Sequence, residues 1–264
     1  MHPPYDHPLN LMMQATLTYA SWGITLILLA IAIKRDLREH TAFNSLVILA
    51  GLVGAFAEPL YDVGHMLWFY TPGQWTTFTA FAIPQPVWTH SGYVVLYSGP
   101  AMYICAQIRQ GLSRNGLYKW AGATLLMSMA FEIIGINGGT YTYWGPHAFR
   151  ILDYPLAIGV LEAAQVICFS VMAAELRRKS QSTLPLLGLF PLFLCTFYMS
   201  NFGAGAPLII ALHIEPPSTT LIAAASLLSI GFAGLLVRAA ASLLPASDEQ
   251  RPATIESTLR TAHS

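Results

Sequence analysis

The sequence predicts an all-α fold, a polytopic transmembrane bundle of seven helices with its N-terminus outside and its C-terminus cytoplasmic. Three observations predict it. The 264 residues are 55% hydrophobic and only 10% charged, with a mean hydropathy of +0.52, whereas a soluble domain carries about 25% charged residues. Seven apolar runs approach the length that crosses a hydrocarbon core of about 30 Å. The basic residues, finally, fall on one side of those runs.

The first run, residues 15–33, has no basic segment before it and KRDLR after it, so it reads as a retained helix instead of a cleaved signal peptide. The second, 43–63, ends in AEPLYDVGHM. Pro59 disfavours helical geometry at Glu58 and removes a backbone hydrogen bond, so this helix is expected to kink there or to restart with Pro59 in a first turn. The third run is 90–109, the fourth 117–137, the fifth 154–174, the sixth 184–203 and the seventh 217–240. Cys105, Cys168 and Cys195 lie singly on three of them, in no metal-type or redox spacing, and read as buried thiols. The domain organisation is then an external tail (1–14), the membrane domain (15–240) and a polar cytoplasmic tail (241–264) whose composition predicts disorder.

With seven spans, Lys34, Arg35, Arg38, Arg109, Arg114, Lys119, Arg177, Arg178, Lys179, Arg238, Arg251 and Arg260 share one side, which the positive-inside rule makes cytoplasmic. Only Arg150 lies outside. Net charge is zero and no basic run interleaves with aromatics, which gives nucleic-acid binding no support.

Ionisable residues gather at the other side. A rise of about 1.5 Å per residue puts Glu58 and Glu132 about 8 Å, and Glu162 about 12 Å, below the outer surface. Asp62 and His65 sit just above Glu58 on the same helical face, at i+4 and i+7, and Gln165 shares a face with Glu162. His90, Asn137, Asp153, Asn201 and His213 fall near the same outer ends. Intramembrane carboxyls cost a few kcal/mol each, so they face a protein interior and either bond across helices or carry function. Three at one depth favour function, because packing alone does not require matched depths.

The two long outer loops are aromatic. Trp75, Phe78, Phe81 and Trp88 lie in one, Tyr141, Tyr143, Trp144 and Phe149 in the other. They form either an interfacial belt or a lid with an apolar inner side that closes over a greasy substrate. Arg150 either pairs with Asp153 or orients a substrate oxygen. Several classes are excluded. The only lysines are Lys34, Lys119 and Lys179, at cytoplasmic helix ends, so no retinal Schiff base is expected. No Asp-rich diphosphate motif is present. His65, His90, His147 and His213 lack the tight helical spacing of a membrane di-iron site, and neither a metal nor any other cofactor is expected.

EPLYD at the end of the second run, GQWTTFTAF followed by PQPVW, and FEIIGINGGTYTYWG leading to FRILDYPL are similar to the AveC-like spirocyclase family of bacterial membrane proteins. The resemblance spans roughly residues 55–160, with Glu58, Pro59, Asp62, Gln74, Trp75, Glu132, Tyr141 and Tyr143 at matched positions; His65 rests on its geometry alone. It implies a multi-pass protein of the bacterial cytoplasmic membrane that closes a lipophilic, polyketide-like dihydroxyketone to a spiroketal, or dehydrates it. Such chemistry needs an acid for the leaving hydroxyl, a carboxylate for the oxocarbenium ion or the last proton, and exclusion of water. The expected catalytic set is Glu58 or Glu132 as acid, Asp62 as base, and His65. Trp75, Trp88, His90, Asn137, Tyr141, Tyr143, Trp144, Arg150, Glu162 and Gln165 are the expected substrate contacts. Partners are then the lipophilic substrate and membrane lipid. A terpenoid or carotenoid cyclase or hydratase, a transporter, and a non-catalytic accessory protein are the competing readings.

Overall fold

The computed structural model describes residues 2–244. The protein is mostly helical, and six helices are long and apolar enough to cross a membrane: Leu11–Glu39, Phe43–His65, Arg114–Asn137, Leu156–Lys179, Thr183–Ala204 and Thr219–Ser242. In chain order the helices are α1 (Leu11–Glu39), α2 (Phe43–Gly54), α3 (Glu58–His65), α4 (Trp88–Tyr93), α5 (Gly99–Arg109), α6 (Arg114–Asn137), α7 (Leu156–Lys179), α8 (Thr183–Leu186), α9 (Leu189–Tyr198), α10 (Ala206–His213) and α11 (Thr219–Ser242). A 3₁₀ turn, Ala55–Ala57, joins α2 to α3. π-helical turns, Val94–Ser98 and Met199–Ala204, follow α4 and α9. The helical stretch 88–109 is not among the six, since Ser91, Gly92, Ser98, Gly99, Pro100 and Gln107 dilute its apolar residues. The tail expected to be disordered lies, beyond Leu244, outside the described residues.

Helix α7 is central, with α5, α6, α9 and α11 all packed on it. Its most apolar window is 83% buried, against 28% for α1, α6 and α11. Apart from Glu162, Gln165 and Ser170, the sequence LAIGVLEAAQVICFSV is apolar all round, as a buried helix requires. Helix starts follow ordinary capping rules: the side chains of Asn10, Ser113 and Ser218 accept backbone N–H bonds from Met13, Gly116 and Leu221 at the heads of α1, α6 and α11.

The end of the bundle that carries the basic residues contains a polar contact that sequence reading missed. Buried Asp36, near the end of α1, accepts bonds from Asn44 N (2.9 Å), Asn44 Nδ2 (2.8 Å) and Ser45 N (2.7 Å) at the start of α2. It caps α2 from a neighbouring helix. Asp36→Ala strips these donors of their acceptor and is expected to destabilise the protein by about 1–3 kcal/mol. Denaturant unfolding in detergent measures this, and unchanged stability would remove the capping role.

The opposite end holds short strands that an all-α reading does not include. β1 (Leu67–Phe69) pairs antiparallel with β4 (Tyr141–Tyr143), Leu67 opposite Tyr143 and Phe69 opposite Tyr141. β2 (Thr76–Ala80) and β3 (Ile83–Pro86) form a hairpin, and β5 (Arg150–Ile151) pairs with β6 (Tyr154–Pro155). Met66, at φ 53°, ends α3 in a left-handed conformation and turns the chain into β1. The N-terminal segment lies over the β1–β4 ribbon. Tyr5 meets Trp68 edge-on, His7 stacks on Tyr70 with centroids 3.9 Å apart, and Asn10 N donates to Gly139 O. Gln14 of α1 ties down the following loop, donating to Gly73 O (3.2 Å) and accepting from Trp75 N (2.7 Å).

Candidate active site

Glu58 opens α3 directly after the 3₁₀ turn, with Pro59 in the first turn where its missing N–H costs nothing. Glu58 itself keeps helical angles (φ −52°, ψ −47°), so Pro59 tightens the preceding turn without breaking the helix. Tyr93 OH, from α4, donates to Glu58 Oε2 at 2.7 Å. One turn further along, beyond the start of the π-helical turn, Tyr97 OH donates to Glu162 Oε1 of α7 at 3.0 Å. Tyr61 of α3 donates to the same oxygen at 3.3 Å. Glu162 Oε2 accepts from Tyr154 OH (3.0 Å) and from Ser128 Oγ of α6. Four hydroxyls thus fill the acceptor sites of one carboxyl group.

Glu132, on α6, completes the set. Its Oε2 accepts from Tyr143 OH at 3.2 Å, and Tyr143 OH lies 3.1 Å from Tyr61 OH. Tyr141 OH donates to the Glu132 backbone carbonyl at 3.4 Å. Burial first, and the neighbouring Glu132 carboxyl second, raise the Tyr141 and Tyr143 phenols well above their ordinary pKa, so both remain O–H donors at neutral pH.

Glu58, Glu132 and Glu162 line one cavity, from three different helices. The inner face of the β1–β4 ribbon roofs it with Leu67, Phe69, Tyr141 and Tyr143, consistent with the two-residue period of a strand. Trp88, Phe131 and the tyrosines complete a wall that contains no basic side chain. The volume is about 30 Å³, room for about two waters. A cavity of this size admits a larger substrate only if the roof or a helix moves.

Most of the other residues expected at the site lie outside the cavity, Asp62 beside the Glu58 carboxyl. Asp62 does not line the cavity; its Oδ2 accepts from Gln85 Nε2 of β3 at 2.6 Å, which docks the hairpin onto α3. His65 donates from Nε2 to Asn201 O (3.2 Å), and His147 donates from Nε2 to His65 O (2.8 Å), so two histidines far apart in sequence meet at the end of α3. Gln165 donates to Phe193 O. His90 Nδ1 donates to Leu52 O at 2.8 Å, and Asn137, exposed, donates to Ile133 O and Leu152 O. Trp75 is exposed on the hairpin. Trp144 lines a separate surface pocket with Met66, Pro146 and Leu212. Of the expected substrate contacts, Trp88, Tyr141, Tyr143 and Glu162 reach the cavity.

Arg150 neither pairs with the Asp153 carboxylate nor reaches the cavity. Its guanidinium donates to three backbone carbonyls, Asp153 O (2.7 Å), Tyr143 O (2.7 Å) and Gly145 O (2.6 Å), and so clamps the loop behind β4. A planar fork of donors suits that task. Burial lowers its pKa, opposed by the nearby Asp153 charge.

Burial pushes the His147 imidazole down to about 3. The unfolded chain binds this proton near pH 6.5 and the folded chain does not. His147 therefore contributes stability that is full above about pH 6.5 and is lost as pH falls toward 3. Midpoints of thermal unfolding between pH 7 and pH 4 should fall less steeply in His147→Gln than in the wild type; parallel slopes would reject this.

Tyr61, Tyr93, Tyr97, Tyr154 and Ser128 were not legible as site residues one by one. The available signal was the i, i+4 spacing of Tyr93 and Tyr97, which puts both hydroxyls on one helical face at the level of the carboxyls. Comparison with protein-family models, curated proteins and solved structures finds no match to this chain.

Proposed function

We propose that the protein is a membrane enzyme that carries out acid-promoted cyclisation, dehydration or both on a lipophilic, oxygenated substrate of the polyketide type. The observation that carries this reading is the meeting of three carboxyls from three helices on one small cavity whose remaining wall is mostly tyrosine and other aromatic side chains. Forming and capturing an oxocarbenium ion needs a carboxylic acid, a carboxylate and exclusion of water. Glu132 or Glu58 serves as acid. Glu162, which accepts four hydroxyl bonds, takes the carboxylate role that sequence reading gave to Asp62. The π faces of Phe69, Trp88 and Phe131 shield the cation. Asp62 and His65 support the site from behind, by docking the hairpin and joining α3 to the Met199–Ala204 turn.

The similarity of EPLYD, PQPVW and FEIIGINGGTYTYWG to AveC-like spirocyclases supports spiroketal formation as the specific reaction. The aromatic wall favours, as a second reading, a terpenoid or carotenoid cyclase or hydratase, whose carbocation asks for the same groups. Purified protein in nanodiscs, incubated with a long-chain dihydroxyketone and separately with an isoprenoid polyene, separates the two. A product lighter by one water from the ketone supports the first, and a hydrated or cyclised polyene the second. Turnover of neither leaves a binding or accessory role.

In the same reading the chain crosses the bacterial cytoplasmic membrane seven times, with 88–109 as the third span, its N-terminus outside and its C-terminus inside. The clustering of basic residues at one set of helix ends supports this. A C-terminal alkaline phosphatase fusion should be inactive, and an active one would reverse the topology.

A further inference from the structure

Four oxygens form an unbroken line between two of the three carboxyls. Glu132 Oε2 lies 3.2 Å from Tyr143 OH, Tyr143 OH lies 3.1 Å from Tyr61 OH, and Tyr61 OH lies 3.3 Å from Glu162 Oε1. Each gap takes one hydrogen, and the two tyrosines supply two for the three gaps. With both carboxyls ionised, each tyrosine turns its hydrogen to its own carboxylate, and the tyrosine–tyrosine gap holds only facing lone pairs. With both carboxyls protonated along the line, there is one hydrogen too many. A single carboxylic hydrogen fills every gap.

We infer that Glu132 and Glu162 hold one proton between them and exchange it through the hydroxyls of Tyr143 and Tyr61. The line has two equivalent fillings. In one, Glu132 donates to Tyr143, Tyr143 to Tyr61, and Tyr61 to the Glu162 carboxylate; in the other, every donor is reversed. The surroundings choose the first as the resting state, because Tyr97, Tyr154 and Ser128 also donate to Glu162 while Tyr143 is the one hydroxyl hydrogen-bonded to the Glu132 carboxyl. Glu58 lies off this line, bonded to Tyr93 and with Asp62 beside it.

This rests on the proposed acid–base reaction and explains how a site with room for few waters resets. Glu132 gives its proton to the leaving hydroxyl, which departs as water. The second hydroxyl of the substrate closes on the cation and gives its proton to Glu162. The proton count of the protein is then unchanged, but the proton is on the wrong carboxyl. Once both tyrosine hydroxyls have turned toward Glu132, a concerted shift of three hydrogens, from Glu162 to Tyr61, from Tyr61 to Tyr143 and from Tyr143 to Glu132, restores the start without bulk water. Tyr61 and Tyr143 are thereby assigned a part in turnover beyond packing.

The test begins without substrate. Infrared difference spectra of the nanodisc-embedded protein identify the Glu132 carbonyl band as the band lost in Glu132→Gln. Glu162→Gln should shift that band, and the shift should vanish when Tyr61→Phe is added, because a phenyl ring keeps the volume and breaks the line. Tyr143→Phe breaks the adjacent link and does the same if Tyr61→Phe fails to accumulate. A Glu132 band that ignores Glu162→Gln, or a shift that survives both phenylalanines, overturns the shared proton. With a dihydroxyketone substrate, Tyr61→Phe should slow later turnovers by about tenfold more than the first, in the low range of proton-transfer effects. Equal slowing of first and later turnovers overturns the resetting role. Coupled carboxyls in a protein that turns over no substrate would overturn the enzyme reading and leave the shared proton standing.

Discussion

Glu132→Gln is expected to insert, fold and bind substrate, yet to turn over about 10² to 10⁴ times more slowly than the wild type. The amide has nearly the volume of the acid and its N–H can still donate to the hydroxyl of Tyr143, now 3.2 Å from Glu132 Oε2. It has no proton to deliver to a leaving hydroxyl. Substrate affinity should change little, because the loss falls on the transition state and not on the ground state. Glu58→Gln is the informative comparison. Glu58 lines the same cavity, but the hydrogen-bond line that returns a proton to Glu132 does not include it. If Glu132 is the acid, Glu58→Gln loses less. The reverse order would make Glu58 the acid, and normal turnover in both, with membrane abundance matched, would sink the carboxyl mechanism.

How much of this was legible in the sequence depended on the length scale of each signal. Spans of some twenty apolar residues are strong signals, and the six helices long and apolar enough to cross a membrane fall where six of the seven expected runs lie. The depth argument for Glu58, Glu132 and Glu162 rested only on the rise per residue of a helix, and these three line one cavity. Height was less secure. Asp62 and His65 stay within about 40° of Glu58 round the helix, but lie about 6 Å and about 10 Å further along it, where Asp62 meets Gln85 and His65 meets Asn201. The ribbon roof was illegible for another reason. Strands of three residues have no measurable periodicity, and Leu67–Phe69 finds its partner more than seventy residues away, in Tyr141–Tyr143. Tyr61, Tyr93, Tyr97 and Tyr154 escaped notice because an apolar body with a hydroxyl tip raises no alarm in a hydrophobic sequence, although their tips bind Glu58 and Glu162.

Glu162→Leu should be the most destabilising single change in the cluster. Glu162 is the common acceptor for Ser128, Tyr61, Tyr97 and Tyr154, from α6, α3, the π-helical turn after α4, and β6. Leucine removes the acceptor and leaves buried hydroxyls without it, at about 1–3 kcal/mol for each that finds no other partner. Two escape at low cost: Tyr61 turns to Tyr143, and Ser128 pairs with Tyr154, whose oxygens already lie 3.1 Å and 3.2 Å away respectively. Tyr97 has no second acceptor among its hydrogen bonds, and Ser128 and Tyr154 share one hydrogen too many, so a loss of about 2–5 kcal/mol is expected. Glu162→Gln retains an acceptor oxygen and should lose less than half as much, while Glu58→Leu strands only Tyr93 and should lie between the two. Unfolding of the three variants in one detergent gives the ranking. If Glu162→Leu proves as stable as Glu162→Gln, the hydroxyls are not held by the carboxylate, and the cluster binds its three helices by packing alone.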